Sequence, residues 1–327
     1  MPFPLNLNSG YLYVKMVMPP KVSIGIPAYK PEFLEEAIDS VLAQTFEDWE
    51  LIVVDDCSPG DIKGIVSKFT DPRIRYYRNE KNLGAEDPSY NWDKCVEYAR
   101  GEYFCLLCDD DLYHPTFLEE MLKLTEQFPD CNVFRARGQR IDGKGNLLSK
   151  YPSSPLWESC EDYIWHRTQG MRHQTISEWM VRRQQIVACG GYAHLPMAWT
   201  ADMISMYRFS VEGGIASSYK ILMSFRCSGL NITTFSDTNV LSKLDAYLLE
   251  EEMVLYLIKK NDMDNTLQAL MANRKESCIR IFLYKASFLM FMKIVLFKRK
   301  KYGISLWSVL IVMTKRLYSR LLRLCAK

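Results

Sequence analysis
The run Glu50-Leu51-Ile52-Val53-Val54-Asp55-Asp56-Cys57-Ser58 decides the fold. Leu51 to Val54 is a short aliphatic block without polar alternation, as in a strand covered on both faces. Strands of that kind form parallel sheets, whose ligands collect outside the carboxyl ends of the strands. Asp55, Asp56, Cys57 and Ser58 follow at once, so these acids stand where a ligand would be met.

Working outward, the same pattern recurs. Val22 to Pro27 reads as a first buried strand, ended by proline. Phe33, Leu34, Ala37, Ile38, Val41 and Leu42 then recur at helical spacing, predicting a helix over 32–44 with Pro31 at its start. Strands are predicted over 74–78 and 103–107, with helices over 61–69, the second half of 83–99, and 115–128. Such alternation predicts an α/β fold with a mainly parallel sheet flanked by helices. The strand exits then carry Pro27-Ala28-Tyr29-Lys30, Asp55-Asp56 and Asp109-Asp110-Asp111. Beyond 136 the alternation fades into a hairpin around 141–146, a helix over 202–211 and a strand over 219–225. From Leu241 onward the pattern is helical.

Composition narrows the class. With 48% hydrophobic and 24% charged residues, the chain is neither disordered nor collagen-like. A net charge of +2 excludes a uniformly basic surface, so nucleic acid is not an expected partner. That average conceals a split: residues 272–327 hold 14 Lys or Arg and one acid, the other residues 27 bases and 38 acids. Ten scattered cysteines form no disulfide framework and read as reduced thiols, most of them small core residues. Cys105 and Cys108 fall on a strand-like run, which would turn them to opposite faces, and no second pair completes a zinc site. Residues 1–21 read as a leader without the features of a signal peptide, and Met16 and Met18 are alternative starts. No apolar run reaches membrane-spanning length, the tail runs being broken by Lys285 and Lys293.

Three adjacent aspartates repel one another unless a cation sits among them, and oxygen ligands suit Mn²⁺ or Mg²⁺. The same triplet also reads as a solvated acidic turn capping the helix after Pro115. Its surroundings favour a site. Ile24 to Tyr29, Ser40 to Phe46, Glu50 to Ser58, Asn82-Leu83-Gly84, Ala99 to Tyr103 and Asp109 to Pro115 together resemble the family-2 glycosyltransferases, inverting enzymes of the GT-A fold, across about 22–235. The resemblance implies a nucleotide-diphosphate sugar donor, UDP-sugars favoured. It implies that Tyr29 lies beside the donor base, on a floor shaped by Pro27 and Ala28, and that Asp56 hydrogen-bonds the base. Asp109 and Asp110 match the metal and ribose end, with Asp110 the favoured ligand and Asp111 close by. Asp202, after Gly190-Gly191-Tyr192 and before Arg208, matches the family's general base, and Arg226 matches a late basic residue suited to donor phosphate. Cys108 replaces an acid of the family's pattern and Lys30 an asparagine. A helix-terminal acid favoured by the dipole is the competing reading of Asp202, and an ion pair at the sheet edge that of Arg226.

The resemblance divides the chain into a domain over 22–235 (a nucleotide half, 22–136, and an acceptor half, 137–235) and a basic helical region over 236–327. In the tail, Leu310, Met313, Leu317, Leu321 and Leu324 fall on one helical face. Lys315, Arg316, Arg320, Arg323 and Lys327 fall on the other. Such a helix reads either as an interfacial membrane element or as a packed helix with a solvated basic face. With a glycan or lipid-linked acceptor, residues 281–327 would hold the enzyme peripherally on the cytoplasmic face of the cell membrane, in bacterial surface-polysaccharide assembly. Two other readings remain: a nucleotidyltransferase on a related fold, although 27–30 lacks the glycines of a phosphate loop, and a non-catalytic sugar-nucleotide-binding protein.

Overall fold
The computed structural model describes residues 18–325 apart from 86, 230–235 and 237, with side chains as far as 319. Four parallel strands open the chain: Val22–Ala28 (β1), Trp49–Asp55 (β2), Ile74–Arg78 (β3) and Tyr103–Leu106 (β4). Between them run Leu34–Leu42 (α1), Ile62–Val66 (α2) and Ser89–Tyr98 (α3). Leu112–Tyr113 (β5), Phe117–Gln127 (α4), Val133–Asp142 (β6), Leu147–Lys150 (β7) and Trp157–Glu158 (β8) follow. Next come Cys160–Thr168 (α5), Trp179–Arg182 (β9), Arg183–Ala188 (α6), Ala201–Ser210 (α7) and Ile215–Cys227 (β10). The sheet runs β3-β2-β1-β4-β9-β6-β10-β5, with β7 on β6 and β8 on β10. It is mostly parallel, because β9 and β5 are the short antiparallel insertions and the long β6–β10 pair is again parallel.

The aliphatic block that opened the reading supplies both faces. Leu51 and Val53 join Leu34, Ile38, Ile62 and Phe117 on one side. Ile52 and Val54 join Trp92, Val96 and Tyr207 on the other. Each such fully buried side chain stabilises the fold by about 1.5–3 kcal/mol. Helix α3 approaches β1 closely enough that a Cβ on Gly25 would lie 2.6 Å from the Cβ of Cys95.

The structure departs from the sequence reading at several points. Helix α1 begins at Leu34, because Pro31 to Phe33 form a turn in which the Leu34 N–H reaches the Pro31 carbonyl. Strand β4 ends at Leu106, so Cys105 is a core residue while Cys108 has already left the strand. The hairpin is present: the Asp142 carboxylate accepts the N–H groups of Lys144 and Asn146 and closes the β6–β7 turn. Strands β5, β8 and β9 and helices α5 and α6 lacked a periodic signal, each being short.

The tail is helical, as expected: Val240–Lys260 (α8), Thr266–Lys285 (α9), Phe288–Lys293 (α10), a π-helical turn over Ile294–Lys298, and Leu306–Cys325 (α11). A buried Glu250–Arg274 pair ties α8 to α9. Helix α11 buries Ser308, Val309 and Val312 and leaves Leu310, Met313 and Leu317 of its apolar face exposed, against the packed-helix reading. Of the two bases described on this helix, Lys315 is exposed and Arg316 is half-buried. Its guanidinium lies over the Phe291 ring and donates to the carbonyls of Leu283, Tyr284 and Ala286, closing the end of α9. The side chains of Arg320, Leu321, Arg323 and Leu324 lie beyond those described, and Lys327 and most of the leader lie outside the described residues. Among the described residues no helix is long and apolar enough to cross a membrane.

Candidate active site
The carboxyl ends of β1, β2 and β4 open into a cleft of about 740 Å³, closed on its far side by residues 167–176, 197–203, Tyr247 and Arg274. Pro27, Tyr29, Asp56, Asp109, Asp110, Asp111 and Asp202 all line it. Ala28 and Arg226 stand behind the lining. The Ala28 carbonyl accepts the Asp56 N–H at 2.9 Å, locking the ends of β1 and β2 together.

Most acids on the strand side are already engaged by the chain itself. Asp56 accepts from Asn79 Nδ2 (2.8 Å), Leu83 N (2.8 Å) and Gly84 N (2.7 Å), fixing the loop after β3. Gly84 is required there, since a Cβ would lie 2.8 Å from Asp56 Oδ2. Asp109 Oδ2 accepts the N–H groups of Tyr29 (2.9 Å) and Lys30 (2.8 Å) and so shapes the loop after β1. The Tyr29 ring, 41% exposed, is thereby presented at the mouth of the cleft. Asp111 Oδ2 accepts from the Ser177 hydroxyl (2.6 Å) and Oδ1 from the Arg226 N–H (3.0 Å). Arg226 supports the triplet from behind: its Nε donates to the Asp110 carbonyl at 2.9 Å and its guanidinium pairs with Glu36 at 2.6 Å.

Asp110 turns toward a cation of the chain's own. Lys30 Nζ lies 2.8 Å from Asp110 Oδ2 and 3.6 Å from Asp109 Oδ1. Burial alone would lower this lysine, but Asp109 and Asp110 outweigh it and hold the ammonium above its ordinary range. Burial, with Asp110 adding to it, pushes Asp111 up to about 8, and burial also pushes Asp109 up. The Cys108 thiol is pushed well up by burial and then by Asp111 and Asp110. Cys108, Asp110 and Asp111 each place one donor atom within 4.8 Å of the others, close enough for a single metal ion to touch all three.

The opposite wall is built differently. Asp202 sits in the first turn of α7, and Gln174 Nε2 donates to its Oδ2 at 3.1 Å. Burial pushes its carboxyl up, against the opposing Gln174 hydrogen bond and the Arg167 charge. A raised carboxylate is a better proton acceptor, as a general base requires. The loop leading to it is strained, with φ of 62° at Met197, 48° at Ala198 and 67° at Thr200. Arg167, Gln174, Thr175 and Thr200 line this wall without a motif that sequence reasoning could have used; Trp199 was visible only as one of several tryptophans. Residues 230–235, shortly after Arg226, lie outside the described residues.

Comparison with known proteins accords with this geometry. A family model described as glycosyl transferase family 2 matches residues 23–186. A protein named as a colanic acid biosynthesis glycosyl transferase, WcaA of Escherichia coli, is 33% identical over 144 residues, 42% of this chain and 50% of its own. The uncharacterized glycosyltransferase MJ1057 of Methanocaldococcus jannaschii is 30% identical over 175 residues, 51% of this chain and 57% of its own. The chain thus spans only about half the length of these curated relatives. Among solved structures, Staphylococcus aureus TarS residues 1–349 in complex with UDP-GlcNAc shares the fold at a TM-score of 0.66 and 17% identity, over 84% of this chain and 79% of that one. The Pyrobaculum calidifontis mannosyltransferase PcManGT, with GDP-Man and Mn²⁺, does so at 0.52 and 12% identity, over 93% and 88%. With the family model covering the whole strand-side wall and half of its length, the chain belongs to glycosyl transferase family 2.

Proposed function
We propose that this protein transfers a sugar from a nucleotide-diphosphate donor to a glycan or lipid-linked acceptor, with inversion. The observation that carries the reading is the convergence of Tyr29, Asp56, Asp110 and Asp202 on one cleft at the strand exits. Tyr29 and the loop held by Asp56 offer the donor base a face and an edge, and TarS, on the same fold, binds UDP-GlcNAc. UDP-sugars are therefore the favoured donors. Asp110 and Asp111 fit a divalent ion by their spacing and oxygen chemistry and would hold Mn²⁺ or Mg²⁺, whereas the Cys108 thiol beside them is too soft a donor for either. Such an ion, when bound, stabilises the charge that develops on the leaving diphosphate. Asp202 takes the proton of the accepting hydroxyl as that oxygen attacks the face of the sugar opposite the leaving group. Asp109 and Arg226 act from behind, fixing the loops and the triplet.

The tail belongs to the same reading. Phe297, Leu306, Trp307, Leu310 and Leu317 are all exposed on the α10–α11 region, next to the Lys298-Arg299-Lys300-Lys301 cluster. An apolar surface bordered by bases suits an anionic leaflet, at roughly 1 kcal/mol per nearby base. We place the enzyme peripherally on the cytoplasmic face of the cell membrane, in surface-polysaccharide assembly. Removing 281–327 would cut α9 and uncover its core, so exposed positions give the cleaner test: Trp307→Glu with Leu310→Glu should abolish flotation with phosphatidylglycerol vesicles without lowering the melting temperature. Flotation equal to wild type would end the membrane assignment.

The experiment for the activity is a thermal-shift series of UDP-, GDP- and dTDP-sugars with Mn²⁺, followed by donor turnover. A shift with one nucleotide class, and turnover lost in Asp110→Ala and Asp202→Asn, is the expected result. Full transfer by Asp202→Asn would refute the base assignment.

A further inference from the structure
The wall that carries Asp202 holds hydrogen-bond donors with nothing to receive them. Arg167 Nε, Thr175 Oγ1, Trp199 Nε1 and Thr200 Oγ1 are all buried atoms without a hydrogen-bond partner, and all four residues line the cleft. Leaving one such group buried and unpaired costs about 1–3 kcal/mol. Four on one wall represent a cost that a ligand can remove. Arg Nε and Trp Nε1 can only donate, so the missing partner must bring acceptor oxygens.

Charge narrows that partner. Among the described residues the Arg167 side chain makes no hydrogen bond and no ion pair, whereas the neighbouring Arg274 is neutralised by Glu250 at 2.8 Å. A half-buried guanidinium with no carboxylate in ion-pair contact, Asp202 acting on it only through space, can receive an anion, and its planar fork favours phosphate or carboxylate oxygens. The nearby His173 ring is held below its ordinary range by burial and then by Arg167, Arg135 and Arg140. Arg167 also acts on the Asp202 carboxyl, which places the cationic group beside the proposed base.

We infer that this wall is an acceptor subsite for a phosphate or diphosphate ester, with Arg167 as its counter-ion and Thr175, Trp199 and Thr200 as neutral donors. The inference rests on the glycosyltransferase reading and adds to it that the acceptor is anionic close to the hydroxyl that reacts. Two sources offer this chemistry: a soluble sugar phosphate, or a phosphate carried on a lipid.

The test uses the full chain saturated with UDP and Mn²⁺, so that the donor end is filled. Glucose 1-phosphate, decyl phosphate and the neutral methyl glucoside are titrated by calorimetry. Both phosphates should bind wild type and bind Arg167→Met at least tenfold more weakly, with Arg167→Lys restoring part of the loss. Thr175→Val, on extended backbone that tolerates a β-branched residue, should weaken both severalfold and guards against misfolding of the arginine variant. Tighter binding of decyl phosphate identifies the lipid source; equal or weaker binding identifies the soluble one. Displacement of both phosphates by UDP, equal or tighter binding of methyl glucoside, or unchanged affinity in Arg167→Met and Thr175→Val would overturn the inference. Failure of wild type to bind UDP, GDP and dTDP alike would instead refute the glycosyltransferase reading, and the acceptor assignment with it; if GDP or dTDP binds in place of UDP, that nucleotide fills the donor end in the titrations.

Discussion

The two walls of the cleft solve opposite problems. On the strand side the carboxylates of Asp56, Asp109 and Asp111 accept from backbone N–H groups and side chains of the chain itself. Even the cation facing Asp110 is supplied internally, by Lys30. On the α7 side, four buried donor atoms lack partners and three non-glycine residues hold left-handed backbone. One wall is nearly complete before anything binds, with Asn82 Oδ1 as its unpartnered buried atom among the described residues, and the other has four such atoms. For a donor shared in its general form across a family, a prebuilt wall is an economical arrangement. Acceptor recognition must differ from enzyme to enzyme, and the wall proposed for it here is built from loop residues.

The largest effect should come from the proposed base. Asp202→Asn should lower kcat about 10²- to 10⁴-fold with little change in donor affinity. In wild type, the upward shift of the Asp202 carboxyl predicts an acid limb above the ordinary carboxylate range. The sign follows from the role: below that pKa the group is protonated and cannot accept, so kcat falls as pH drops. A kcat that stays flat down to pH 4 would break the assignment.

Next in size is a substitution on the strand-side wall. Asp56→Ala leaves the N–H groups of Leu83 and Gly84 and the Asn79 amide without their acceptor, at a cost of at least about 2 kcal/mol. Stability and UDP affinity should fall together, because the same carboxylate holds the loop and faces the cleft. In Arg167→Met, by contrast, stability should hold while only ligand affinity falls. Equal loss of stability in the two variants would erase the distinction between the walls.

Legibility in the sequence divides along the same line. Leu51 to Val54 and Ile24 to Pro27 are buried on both faces, so their apolar runs mark strands, and the acids at their ends mark the site. Arg226 was legible as a basic residue near the site. Its place behind the triplet was not, because that depends on β5 and β10 pairing at the sheet edge. The tail helix α11 showed its amphipathic period, but the seam it buries is Val309 and Val312, selected by α9. Arg167, Thr175 and Thr200 carry no periodic or motif signal, since α5 and the loops around it are positioned wholly by tertiary packing.

A smaller effect probes the internal cation. Lys30 Nζ occupies the side of Asp110 that a divalent ion would use. Lys30→Met should therefore raise Mn²⁺ affinity in the absence of nucleotide, by about tenfold if one ion pair at effective dielectric near 20 is removed and partly offset by lost solvation. Electron paramagnetic resonance of free Mn²⁺ reads this without any turnover. Unchanged affinity would mean that the ion and the ammonium do not compete.

The smallest effect concerns the strained loop. Ala198 has a φ of 48°, where a side chain costs roughly 1–2 kcal/mol and glycine nothing. Replacing alanine by glycine in an ordinary position loses about 0.5–1 kcal/mol to unfolded-chain entropy. The two terms nearly cancel, so Ala198→Gly should leave the melting temperature within a degree or two of wild type. Binding should respond differently. Trp199 and Thr200 follow directly, and their donors are useful only while the loop holds them against the cleft. A glycine widens the loop's range, and ordering it again on binding should cost phosphate affinity a factor of about two to five. If melting falls clearly while phosphate binding is unchanged, the backbone strain is unrelated to the acceptor wall, and the contrast between the two walls reduces to hydrogen bonding alone.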